Sequence, residues 1–111
     1  MTDDITQTGP LKIVTQIDEV EPAEVVPGIV RRRLTATDHA RGWVIDFAPG
    51  TQWPEVDVHG GEERYLVLDG EILDGDERHG PGAYVTFLAG SRHRPRTETG
   101  ARMIGISLLT G

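Results

Sequence analysis

Apolar and polar positions along this chain alternate in short bursts separated by glycine and proline, and no long window keeps the spacing of a helix. The bursts predict strands at residues 11–14, 29–36, 42–47, 63–68, 71–73, 83–88 and 102–109, with little or no helix. The run Arg31-Arg32-Arg33 within the second strand is expected on an edge or rim. In Arg64-Tyr65-Leu66-Val67-Leu68 both faces are apolar, the pattern of a strand covered on one side by a barrel interior and on the other by a second sheet. Asp74-Gly75 supplies hairpin chemistry, because glycine accepts the positive φ such turns require, and Gly80-Pro81-Gly82 predicts a second tight turn. Many short antiparallel strands joined this way predict an all-β sandwich or closed barrel.

Composition narrows this picture. The 111 residues suffice for one core, and neither an internal repeat nor a linker divides them. Residues 1–9 are polar and unpatterned and are expected to form a disordered tail, leaving one domain over residues 10–111. Eighteen acidic residues against eleven basic ones give a net charge of -7, which disfavours nucleic acid or an anionic membrane as partner. No apolar run approaches the ~20 residues of a membrane helix, and Met1-Thr2-Asp3-Asp4 lacks the character of a secretory signal, so a cytoplasmic protein is expected. There is no cysteine. Any metal must therefore be held by nitrogen and oxygen.

The residues with the right chemistry for that are Asp57, His59, Glu63 and His93. Asp57 and His59 are two apart, so on an extended strand both project to one face. Gly60-Gly61 lets the chain bend and return the Glu63 carboxylate toward His59, while Gly90 allows the backbone to turn His93 inward from another strand. Neutral imidazole and ionised carboxylate together suit one divalent ion: Fe, Mn, Zn, Ni or Co. On spacing alone, a solvated acidic rim would read the same way. Glu62 is expected to face solvent or to support the ligands from behind.

The wider pattern resembles the cupin superfamily of small β-barrels. Its first motif has two histidines two residues apart, a glutamate and then a glycine, matched here by Asp57, His59, Glu63 and Gly70 with aspartate replacing the first histidine. Its second motif is matched by Gly82, Leu88, Gly90, His93 and Thr97, with leucine and threonine as departures. Gly-Gly-Glu-Glu followed by Leu-Val-Leu-Asp-Gly, and later Gly-Ser-Arg-His-Arg-Pro, looks most like the cupin domain of ChrR-type anti-sigma factors. The resemblance spans residues 43 to 109. It implies a single-domain double-stranded β-helix (a jelly-roll barrel), a metal on His59, Glu63 and His93 with Asp57 as fourth ligand or rim residue, and a homodimer.

Two functions follow as expectations. One is a metal-dependent enzyme on a small organic molecule, dioxygenase-like, or an isomerase or lyase using the ion as Lewis acid. In it Glu63 and Tyr65 would be catalytic, and Arg94, one of three arginines around His93, would hold a substrate carboxylate. The other is a non-catalytic metal- or ligand-sensing module. A barrel whose site has decayed is a third reading, supported by Asp57 alone. A separate helical partner-binding domain is not expected, since the first 40 residues lack helical pattern. Trp43 and Trp53 are expected in the core or barrel wall, and His39 and His79 in exposed loops.

Overall fold

The computed structural model describes residues 11–109, so the tail expected over residues 1–9 lies outside it. Ten strands follow in order: β1 Ala23–Val26, β2 Ile29–Ala36, β3 Ala40–Phe47, β4 Asp57–Val58, β5 Glu63–Gly70, β6 Ile72–Asp74, β7 Glu77–His79, β8 Tyr84–Phe87, β9 Arg92–His93 and β10 Ala101–Leu108. One 3₁₀ turn, Ile17–Glu19, is the helical content among the described residues. Six strands form the main sheet in the order β1-β2-β3-β10-β5-β8, and β4 pairs with β9 and β6 with β7. Bridges from Arg96 to Gln52 and to Leu73 tie the small ribbons together. Every ladder is antiparallel. The result is a jelly-roll barrel: the punctuated strands predicted an all-β sandwich or barrel, and the cupin resemblance implied the jelly roll.

Local chemistry explains the turns. Gly75 has φ +57° between the paired residues Asp74 and Glu77, while among the described residues none other than glycine has positive φ. The two-residue loop is thus Gly75-Asp76, matching the glycine-first type II′ hairpin rather than the Asp-Gly centre expected. Ala83 N–H donates to Gly80 C=O at 3.0 Å across Pro81-Gly82, the proline-then-glycine order of a type II turn.

The inward face carries the core. Ile29, Ile45, Phe47, Val67, Ile72 and Met103 pack together there with Trp43 and Tyr65. Full burial of such side chains contributes about 1.5–3 kcal/mol each. Gly105 on β10 is required by close approach, because a Cβ there would collide with the Trp43 ring and the Arg64 carbonyl.

Four expectations need correction. Residues 11–14 form no strand: Leu11, Ile13 and Val14 are 75%, 69% and 75% exposed, so the apolar run has neither a ladder partner nor a core to cover. β1 was not expected, because four residues acquire strand character only from pairing with β2. The arginine run expected on an edge or rim is there only in part, since β1 pairs with β2 as far as Arg31 and leaves Arg32 and Arg33 beyond its end. Its outward member, Arg32, donates to Asp46 at 2.9 Å, and Asp46 also accepts from Arg102 at 2.7 Å. The outer face of β5 is not covered by a second sheet either, as Leu68 is exposed.

Candidate metal centre

β4 and β9 pair so that Asp57 stands directly opposite His93. Beyond the end of β4 the ladder continues irregularly: His59 N–H donates to Ser91 C=O at 2.9 Å and Gly90 N–H to His59 C=O at 2.8 Å. Gly90 makes this turn with φ +89°, a conformation a residue with a Cβ adopts only under strain. Glu63 then enters from the start of β5. One ligand atom from each of Asp57, His59, Glu63 and His93 comes to lie within 4.8 Å of all the others. Glu62 turns away and pairs with Arg64.

The contacts within this group point at a shared centre. His59 Nε2 is 2.7 Å from Glu63 Oε2 and 3.2 Å from Asp57 Oδ2, and His93 Nε2 is 3.7 Å from Asp57 Oδ2. His59 is only 5% exposed, yet its Nε2 has no aligned hydrogen-bond partner. Buried polar atoms are rarely left so, and each costs about 1–3 kcal/mol. Two carboxylate oxygens crowd this nitrogen without taking its bond, which is the arrangement of donors aimed at a common cation. The residues present therefore fit a divalent ion.

Further side chains fix the donors' orientation. Ser91 Oγ donates to Leu88 C=O at 2.7 Å, so at 3.0 Å it accepts from His59 Nδ1–H and leaves Nε2 unprotonated in the neutral ring. Trp43 Nε1–H donates to Ser107 Oγ at 3.0 Å, and Ser107 donates to Glu63 Oε1 at 2.7 Å. Behind the other histidine, Asp74 Oδ2 lies 3.3 Å from His93 Nδ1. Burial holds the His93 pKa below the ordinary imidazole range, with Asp74 pulling upward and His59 pushing down. Phe87 shields both rings, its centroid 4.7 Å from His59 and 4.2 Å from His93.

The centre opens onto a cavity of about 260 Å³ walled by Trp43, Trp53 and Tyr65, just below the ~300–1,000 Å³ usual for small-molecule sites. Tyr65 is buried, and burial together with the nearby Asp74 and Glu77 charges raises its pKa. Its hydroxyl lies 2.6 Å from His79 Nδ1, and His79 Nε2 lies 2.9 Å from Glu77. His79 is thus largely buried rather than exposed as expected, because β7 folds it against β5. Arg94 is not brought to the cavity: its guanidinium donates to the carbonyls of Trp53 and Pro54 at 2.9 and 3.1 Å. Sequence reasoning missed Asp74, Ser91 and Ser107, which carry no spacing signal, and also the cavity-lining Arg31, Arg33 and Arg41. For the first two arginines a signal exists, since they share strand parity with the core residue Ile29.

Comparison with known proteins agrees with this architecture. The sequence model of the ChrR Cupin-like domain matches residues 11–108. The fold is similar to a chain of the Rhodobacter sphaeroides SigE complex with the anti-sigma ChrR (21% identity, TM-score 0.74, 83% of this chain and 51% of that one). This chain therefore spans about half the length of that relative. It is also similar to an RmlC-like cupin from Shewanella frigidimarina (16%, TM-score 0.78, 89% and 92%). A third is an acetylacetone dioxygenase from Acinetobacter johnsonii (12%, TM-score 0.76, 97% and 80%). At these identities the likeness concerns the fold. No curated protein matches the chain.

Proposed function

The chain belongs to the ChrR Cupin-like domain family, and from that premise we propose a small metal-dependent enzyme acting on a small organic molecule held in the cavity. The observation that carries the proposal is the buried, unpartnered His59 Nε2 facing Asp57 and Glu63, both of which line the cavity. His59, Glu63 and His93 would hold the ion, with Asp57 as fourth donor. When bound, the ion would polarise a substrate oxygen or activate dioxygen.

The chain's own residues do the rest. Trp43, Trp53 and Phe87 exclude water from the reacting end. Tyr65 keeps its proton at neutral pH and donates it to His79 Nδ1, whose Nε2–H donates to Glu77, so the phenol oxygen is left to accept from a substrate hydroxyl or enol. Glu63 accepts from Ser107 at one oxygen, which aims the other toward His59, where it would help to hold the ion. Arg94 braces the loop at Trp53 and Pro54, so substrate charge falls to other residues.

Dioxygenase chemistry is the specific form proposed, with isomerase or lyase chemistry as the variant that needs no oxygen. The test is to load chelator-treated protein with Fe(II) or Zn(II) and incubate it with small enolisable carbonyl compounds while following oxygen uptake and substrate loss. Uptake with iron alone supports the dioxygenase. Turnover with either metal and no uptake supports the Lewis-acid variant. Metal binding without turnover of any compound favours a sensing module, the second reading, which the family match to ChrR motivates. We further propose a cytoplasmic homodimer. It draws support from the cysteine-free sequence and from the exposed apolar Leu68, Tyr84 and Ile106 on the outer sheet face. None of the described helices is long and apolar enough to cross a membrane.

A further inference from the structure

The cavity that Asp57, Glu63 and His93 line is also lined by Arg31, Arg33 and Arg41, with Arg41 in the cross-strand row of Ser107 and Glu63. Arg31 and Arg33 are two apart on β2 and so share its inner face, while Arg41 lies on the same inner face of β3 as Trp43. Arg31 is half-buried, and its Nε is a buried donor with no acceptor. Arg33 and Arg41 stand exposed at the mouth. None of the three makes a salt bridge among the described residues, in a chain with eighteen acidic residues. The cavity's carboxylates do not pair with them: Asp57 lies beside His59, and Glu63 accepts from Ser107.

We propose that this cavity binds a small organic carboxylate, its carboxyl group gripped by Arg31, Arg33 and Arg41 and its body lying between Trp43 and Trp53. The proposal deepens the functional reading above and rests on it only for where the other end of the ligand points. Three like charges converging without a counter-ion oppose folding, and burial and the neighbouring charges hold the Arg31 guanidinium pKa below its ordinary range. A bound anion removes both penalties and satisfies Nε. A planar carboxylate matches the guanidinium fork through two parallel hydrogen bonds, and the aromatic walls suit a carbon skeleton. With a divalent ion neutralising Asp57 and Glu63, the arginines become the remaining net charge of the cavity. An anionic substrate is then also drawn in by the local field, although the whole chain is acidic.

The test uses metal-free, chelator-treated protein, so it does not depend on whether a metal binds. Thermal shift and calorimetric titration are run with acetate, malonate, succinate and benzoate, with the methyl esters of each, and with inorganic phosphate and chloride at matched ionic strength. The expected result is that at least one carboxylate stabilises the protein where its ester, phosphate and chloride do not. Its affinity should then fall about tenfold or more in Arg31→Gln and in Arg33→Gln. Arg31→Gln should also raise the ligand-free melting temperature by about 2–5 °C, since it removes an uncompensated charge. Arg33→Gln, at the exposed mouth, keeps the test valid if the first variant folds poorly. The proposal is overturned if no carboxylate stabilises the wild type beyond chloride, if phosphate does so equally, or if the effect survives both substitutions. Protein that binds metal yet ignores every carboxylate would sink this inference alone. Protein that binds a carboxylate but no metal would sink only the metal centre.

Discussion

His59 Nε2 lies 2.7 Å from Glu63 Oε2, yet the two are not aligned as a hydrogen-bonded pair, and the nitrogen is buried without a partner. Ser91 holds the proton-bearing side of the ring away from the glutamate. A lone pair and a carboxylate at this separation repel, and a cation shared by the two would relieve that repulsion.

Removing either histidine should therefore remove the metal. His59→Ala and His93→Ala are each expected to lose most bound metal and to lose the thermal stabilisation that metal gives the wild type. At a metal concentration about a hundred times the dissociation constant that stabilisation is about 2.7 kcal/mol. Calorimetric melting with and without added metal checks it.

Asp57 faces His93 across the β4–β9 ladder and both histidine Nε2 atoms. Asp57→Asn should weaken metal affinity by at least the ~10–100-fold that loss of an outer partner causes. Unchanged affinity on titration would return Asp57 to the rim. Ser91→Ala, which frees the His59 ring, should weaken it by about tenfold.

Much of this was legible in the chain. Strand parity placed Asp57 and His59 together, two glycines announced the bend to Glu63, and Gly90 announced the return of His93. The departure at Asp57 left its direction open, and the antiparallel register with His93 resolves its placement. Residues 11–14 misled because an apolar run says nothing about whether a partner strand exists. His79 misled because its environment is set by Tyr65, fourteen residues away. The cavity arginines were hidden because charged residues on a strand read as solvated, although Ile29, Arg31 and Arg33 share one face.

Tyr65→Phe should leave metal content unchanged while lowering kcat/KM by about 3–10-fold, the usual worth of one hydrogen bond to substrate. It should also change alkaline stability. The folded protein holds the Tyr65 proton above the ordinary phenol value of 10.0 that applies to the unfolded chain. Stability therefore falls as pH rises past that value, and the substitution should make the fall shallower in pH-dependent melting.

Gly105 gives a test of the barrel wall. Gly105→Ala drives a methyl group into the Trp43 ring and should cost about 1–3 kcal/mol in denaturant unfolding. Gly80→Ala, where nothing lies within 4 Å, is the control and should change stability little. Because Trp43 also orients Ser107 and through it Glu63, Gly105→Ala should weaken metal binding as well.

The most direct test of the metal centre is elemental analysis of the protein purified without affinity tag or chelator, alongside His59→Ala and His93→Ala. About one equivalent of iron, manganese, zinc, nickel or cobalt per wild-type chain is expected, with little in either variant. Wild-type protein that carries no such metal and takes up none on reconstitution, or variants that retain full occupancy, would contradict the metal centre.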